Sequence, residues 1–348
     1  MPDASTAPAR RWGRREVLEL GLGLGIAVPA LGGCSASPAV APRPGPPGAG
    51  SAGPTPGAAS PAPAPAVPAA ATSEQALSVY AAAILTGPHR TDVDADLRRL
   101  LTFLRDAHAD HAVALAGDDP TTRPTAAAPS PTADPPDLAK VTLRTSLARL
   151  ARHEAAQASA QRRAASAASG LTALLAGSLA VAADSYGAAL AAKQPPGVSA
   201  KKARKPAPLL SDVAATQQLV AQLHAVVFGY QLAIGKLRYT SGARRRAVSE
   251  LAATRRLLDT QIAFLLSRKA DVPPAEPAYA PASAVRSAGD ASRLVRGMRT
   301  RLEPYAGLTL AAAGDAKARG AAFTLLRSTS RTARGWGAPL QAWPGWPD

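Results

Sequence analysis

The chain has 348 residues, 40 of them Lys or Arg against 24 Asp or Glu, and a formal net charge of +16 with a single cysteine. One cysteine excludes a disulfide framework, and an aromatic content of 4% is too low for the stacking surfaces that bind single-stranded nucleic acid. Alanine is abundant, and the alternation of Val, Ile and Thr that favours strands is absent. The composition therefore predicts an all-α protein without a nucleic-acid partner.

The first 33 residues have the three parts of an export signal: a basic start, an apolar middle, and small residues before a processing point. Arg14 and Arg15 fit a twin-arginine pattern, with general secretion as the alternative route. The sequence LGGC that begins at Leu31 resembles a lipobox, with cleavage after Gly33 and a diacylglycerol on the Cys34 sulfur. We therefore predict a lipoprotein anchored in membrane lipid through Cys34 on the extracytoplasmic side. An incidental cysteine behind a short signal is the alternative.

Composition divides the mature chain into four parts. Residues 34–72 begin with the lipidated cysteine and continue in Ala, Pro, Gly, Ser, Thr and Val with a single Arg, which predicts a disordered tether. Proline-rich breaks then separate an N-terminal helical unit over 73–192 from a basic linker over 193–210. The remainder, 211–348, is the second helical domain.

Helical periodicity in the N-terminal unit predicts a capped start at Thr72 and an interruption near Gly170. The residues after Gly170 are apolar enough to suggest a membrane span, but Asp184 would cost roughly 2.5–3.5 kcal/mol at a bilayer centre. A buried bundle helix is therefore the favoured interpretation. The predicted helical stretches of this unit are 72–86, 93–116 and 137–192.

Candidate metal ligands occur on two of these helices. His108 and His111 are three residues apart, and His153 and Glu154 are neighbours on the next long stretch. If the two helices pair, imidazoles and a carboxylate can meet around zinc or iron. Aspartates flank the first two histidines, however, and that pattern is typical of a solvated face.

Four amphipathic helices follow in the second domain. The short TSG link forces the first two into an antiparallel hairpin, AAGDA does the same for the last two, and a Pro-rich crossover over 270–283 joins the pairs. One long central connection is the layout of a ferritin-like bundle. The tail should place Trp343 and Trp346 against the body.

Three segments of this domain resemble a ferritin-like family of actinobacterial proteins that is classed as a domain of unknown function and often follows an export or lipoprotein signal. The resemblance implies a four-helix ferritin-like fold and no established activity. Its most specific part contains Pro274, Glu276 and Tyr279, which we interpret as a structural loop. The segments are QLHAVVFGYQLAIGKL (222–237), PPAEPAYAPASAV (273–285) and RGWGAPLQAWPGWP (334–347).

The resemblance also implies that the di-iron site is degenerate. Di-iron members of the superfamily carry Glu-x-x-His on two helices, and no glutamate of this chain has a histidine three residues later. Leu223 replaces the Glu of a Glu-His pair and leaves His224, while Thr254 stands where a second histidine is expected. His224, Asp259 and Glu303 are then a remnant polar layer. The alternative is that His224 is a hydrogen-bonded core residue.

The leading hypothesis from the sequence is a non-catalytic, membrane-anchored envelope protein, without a cofactor, that binds an acidic polymer or another envelope protein. The competing hypothesis is a metal-dependent oxidoreductase or a metal-storage protein that binds iron, manganese or zinc. The absence of Glu-x-x-His favours the first. Convergence of His108, His111, His153 and Glu154 would favour the second.

Overall fold

The computed structural model describes residues 69–117, 136–192, 195–199 and 204–347. The predicted export signal and lipidation site lie outside these residues and stay predictions: Arg14, Arg15, Leu31, Gly33 and Cys34. The predicted tether lies almost entirely outside them as well.

The described residues form eight α-helices and no strand, which confirms the all-α prediction. An isolated bridge joins Val198 and Leu340. The helices are α1 (Ala69–Thr86), α2 (Ala95–Ala116), α3 (Leu143–Ala167), α4 (Gly170–Leu190), α5 (Asp212–Ile234), α6 (Gly242–Ser267), α7 (Ala288–Ala312) and α8 (Ala316–Gly335).

The predicted helix limits of the N-terminal unit hold within two residues except at two starts. Helix α3 begins at Leu143, after its Thr142 cap, and not at 137. The other exception is the start of α1. This helix begins at Ala69, so Thr72 lies within its first turn rather than at its cap. The alanines before Thr72 have the highest helix propensity and extend the helix upstream. The predicted interruption at Gly170 is confirmed, because this glycine has φ of 60° and α4 begins there after α3 has ended.

The helices form two sets, each with its own apolar core. In the first, α1 packs on α2 and α3, and α3 packs on α4, around side chains such as Leu104 and Leu150. In the second, α5 packs on α6 and α7, and α7 packs on α8, around Leu223 and Leu302.

Helix α4 joins the two sets. It is long and apolar enough to cross a membrane, yet 78% of its most apolar window is buried inside the fold. It packs against α7 and α8 as well as α3. Asp184 accepts a 2.8 Å hydrogen bond from Arg327 of α8 and lies 3.7 Å from Arg331. The guanidinium partners explain how a carboxylate can stand in this apolar helix.

Helix α7 depends on a capping box that replacing Ser287 should break. The Ser287 hydroxyl accepts the Asp290 backbone N–H at 3.1 Å, and the Asp290 carboxylate accepts the Ser287 N–H at 2.9 Å. We expect Ser287→Ala to lower the free energy of unfolding in urea by about 1 kcal/mol. Ser292→Ala, inside the same helix, should leave stability unchanged or raise it slightly, because alanine is the better helix former. Equal effects of the two substitutions would contradict the capping role.

Candidate metal centre

His108 and His111 are buried, each only 1% exposed, so the predicted solvated face is wrong. Residues three apart project from one side of a helix, and on α2 that side also carries Leu101, Leu104 and Ala107, all buried. The flanking aspartates occupy other positions around the helix. The two imidazoles therefore enter the core between α1, α3 and α4.

A third residue, Glu74 of α1, meets both histidines. Its Oε2 lies 2.6 Å from His108 Nδ1 and 3.1 Å from His111 Nδ1. One ligand atom from each of these three buried residues lies within 4.8 Å of the other two. Two imidazole nitrogens and a carboxylate from two helices thus converge on one point. We name Glu74, His108 and His111 the ligand triad.

Of the two candidate ligands predicted on α3, only Glu154 joins the cluster. Glu154 is fully buried, and its Oε1 lies 2.8 Å from His108 Nε2. His153 is exposed, with its ring 5.7 Å from that of Tyr80, and does not join the cluster. Adjacent residues lie about 100° apart around a helix, so only one of them can face the core.

Each member of the ligand triad has an outer partner. His108 Nε2 faces Glu154, His111 Nε2 faces the Ala342 carbonyl oxygen at 2.8 Å, and Glu74 Oε1 accepts the Gln157 amide at 2.8 Å. Histidines that bind metals nearly always donate their second N–H to a carboxylate or a backbone carbonyl, which fixes the ring and its tautomer. Both histidines have such an acceptor.

Proton counting shows what the triad requires. The Ala342 carbonyl accepts only, so His111 Nε2 carries a proton, while His111 Nδ1 faces the Glu74 carboxylate. Without a metal, a proton must lie between Nδ1 and the carboxylate to join them. His108 likewise lies between two carboxylates. The inner positions hold either protons or a metal cation.

The pKa shifts of the groups in the cluster follow from the same contacts. Burial would raise the pKa of Glu74, but His111 and His108 hold it well below its usual range. Burial would lower the pKa of His108, but Glu154 and Glu74 raise it to about 10. For Glu154, burial outweighs His108 and the pKa rises. The cluster thus has one firmly ionised carboxylate, Glu74, which is the oxygen ligand that a cation needs.

The predicted polar layer of the second helix set does not assemble. His224 is half-buried on α5, Asp259 is exposed on α6, and Glu303 is 2% exposed on α7. Among the described residues, no hydrogen bond or ion pair joins any two of them. Asp259 follows Leu258, which faces the core, and is therefore turned outward.

An arginine network occupies this interior instead. Arg299 is 7% exposed, and its Nε donates to the Tyr230 hydroxyl at 2.7 Å and its Nη2 to Thr254 at 2.8 Å. The Tyr230 hydroxyl donates to the Glu250 carboxylate at 2.7 Å. The same carboxylate also accepts the Trp336 indole N–H at 2.8 Å. Thr254, where the resemblance led us to expect histidine, is thus a hydrogen-bond acceptor for a guanidinium.

The crossover loop between α6 and α7 is held by contacts of Tyr279. Tyr279 packs its ring 5.6 Å from Phe228 of α5, and its hydroxyl accepts the Glu276 backbone N–H at 3.0 Å. Pro274 and the Glu276 side chain are exposed. The structural role predicted for this loop stays a prediction.

Sequence reasoning missed Glu74 and Gln157, although both left a signal. Glu74 is the only charged residue of α1 and shares a face with Leu77 and Ala81, so a carboxylate stands on an otherwise apolar stripe. Gln157 follows Glu154 by three residues on the buried side of α3. The Ala342 carbonyl could not be inferred, because any residue supplies one.

Comparisons with known proteins give one family match and one solved structure. None of the curated proteins matches the chain. A crystal structure of a conserved hypothetical protein from Mycobacterium tuberculosis is 27% identical, with a TM-score of 0.34, and the match covers 36% of this chain and 93% of that one. Residues 215–348, which hold nearly all of α5–α8 and the C-terminal tail, match the family described as a domain of unknown function (DUF4439), and the ligand triad lies outside the match.

Proposed function

We propose that the protein is an exported, lipid-anchored helical protein that binds one divalent transition-metal ion through Glu74, His108 and His111. One observation carries the proposal: three buried ligand atoms converge, and each of the three side chains is already held by an outer partner. Ion binding would replace the inner protons of the two imidazoles, as metal sites generally do. The anchor and the export route rest on the sequence signal alone.

The donor set limits the choice of ion. Imidazoles with a carboxylate suit zinc, iron and manganese better than calcium or magnesium, which prefer oxygen ligands. Metal–ligand bonds of about 2.0–2.2 Å require ligand atoms roughly 3–3.5 Å apart. The 2.6 Å contact between Glu74 and His108 would lengthen by a small rotation of the carboxylate. Binding or storage of an ion needs nothing further from the chain.

Metal content tests this proposal. The protein is exported through its own signal, purified without chelators, and analysed by plasma mass spectrometry. We expect near-stoichiometric zinc, iron or manganese in the wild type and almost none after His108→Ala combined with His111→Ala. The matched control is His153→Ala, because this histidine is exposed beside Glu154 and is no ligand. It should retain the wild-type metal content.

A metal-free envelope scaffold is the second candidate function. It is favoured by the fact that protons alone satisfy the ligand triad, since hydrogen bonds to Glu74 account for the inner nitrogen of both rings. In that case the cluster stabilises the fold, and the basic surface serves an acidic polymer or another envelope protein. Substoichiometric metal that is unchanged in the double variant would support the scaffold and overturn metal binding.

A further inference from the structure

The C-terminal tail, residues 338–347, is fixed by hydrogen bonds to the segment between α4 and α5. Leu340 donates its N–H to the Gly197 carbonyl and accepts the Ser199 N–H, both at 2.8 Å. The Trp346 indole N–H donates to the Lys205 carbonyl at 2.6 Å. The tail also reaches the first helix set, because Leu340 and Ala342 belong to the apolar core of that set.

The tail reaches the ligand triad directly. Its Ala342 carbonyl oxygen accepts a hydrogen bond from His111 Nε2 at 2.8 Å. The Trp343 ring lies 4.6 Å from the His111 ring at an angle of 65°. The neighbouring Gln341 carbonyl accepts the Tyr186 hydroxyl at 3.0 Å, and the Tyr186 ring stacks at 6.4 Å on His111. One face of His111 is therefore set by Tyr186 and another by the tail.

The tail also fits closely against α7 and α8. Gly345 has φ of 83°, and a Cβ added there would lie 2.6 Å from Leu326 Cδ1. Its carbonyl oxygen approaches Gly307 of α7 so closely that a Cβ on Gly307 would lie 1.9 Å from it. A methyl group at position 307 therefore cannot coexist with the tail in this position.

We infer that the C-terminal tail is a component of the metal site, in which it positions His111, and that tail docking and metal binding are thermodynamically linked. This inference rests on the proposed function. A docked tail orients His111 with Nε2 protonated and Nδ1 free for the ion. By reciprocity, the bound ion must stabilise the docked tail to the same degree.

A pair of substitutions on α7 tests the linkage. Gly307→Ala should displace the tail, whereas Gly297→Ala adds a methyl group that meets nothing within 4 Å. The affinity for Zn²⁺ is measured on the full-length protein by competition with a chromophoric chelator. We expect Gly307→Ala to weaken binding about 10–100-fold, the usual effect of losing an outer partner, and Gly297→Ala to change it less than about twofold. The visible spectrum of bound Co²⁺ should shift only in Gly307→Ala.

Hydrogen exchange on the wild type needs no substitution, so it stays informative if Gly307→Ala fails to fold. Addition of Zn²⁺ should slow the exchange of Leu340 and Trp346, whose amides donate to the Gly197 and Trp343 carbonyls in the docked tail. Unchanged tail exchange, or equal Zn²⁺ affinity in the two glycine variants, would overturn the inference while wild-type metal binding stands. A wild type that binds no Zn²⁺ would overturn the proposed function itself.

Discussion

A chain carrying Glu74→Ala should lose its metal ion and about 3–5 kcal/mol of folding free energy. Glu74 accepts contacts from His108 Nδ1, His111 Nδ1 and Gln157, and it is the one firmly ionised group of the cluster. Its removal leaves two buried imidazoles facing a cavity. Breaking a buried ion pair by deleting one partner is among the most destabilising single changes.

Urea unfolding and metal analysis of the same samples measure both effects. The matched control is Glu276→Ala, the same substitution at an exposed carboxylate in the crossover loop; it should stay within about 0.5 kcal/mol of the wild type. Glu74→Gln keeps an acceptor oxygen without the charge, so it should lose the metal and retain more stability than Glu74→Ala. A Glu74→Ala protein as stable as the control would contradict the role of this carboxylate.

The second large effect concerns Glu303 and depends on pH. This carboxyl is 2% exposed, and its Oε2 has no hydrogen-bond partner among the described residues. Burial raises its pKa from 4.5 to about 8, although Arg334 opposes the rise. Between these two values the folded chain keeps a proton that the unfolded chain has lost, so stability falls as pH rises.

Glu303→Gln should remove that loss, because the amide has nearly the same shape and stays neutral. At pH 7 we expect the variant to be more stable than the wild type by about 3 kcal/mol, and near pH 4.5 the difference should almost vanish. Urea unfolding at several pH values gives the comparison. Asp259→Asn, at an exposed carboxylate, is the control and should show no such dependence. A difference that does not change with pH would contradict the buried neutral state of Glu303.

Most of the helix limits follow from the sequence because side-chain caps such as Ser211, Ser241 and Asp315 stand directly before the helices that they begin. Gly170 marks the break between α3 and α4, since its positive φ favours glycine. The start of α1 is an exception, because helix propensity alone extends it beyond the polar residue that resembled a cap. The start of α3 is another, because its cap is Thr142, well after the predicted limit.

The candidate site is predictable only in part. His108 and His111 share a helix face by spacing, and Glu154 lies on the next helix, so three of the cluster residues can be named from the sequence. The choice between His153 and Glu154 depends on the rotation of α3 against α4. The link between His111 and the Ala342 carbonyl spans 231 positions and arises only from tertiary packing.

Anomalous X-ray diffraction at the zinc edge, from crystals of Zn²⁺-loaded full-length protein, tests metal binding most directly. The account predicts one strong peak in the first helix set, about 2.0–2.2 Å from His108 Nδ1, His111 Nδ1 and a Glu74 oxygen. The outer contacts of the two histidines to Glu154 and to the Ala342 carbonyl should be intact. Direct hydrogen bonds from both rings to Glu74, with no anomalous peak between them, would contradict it.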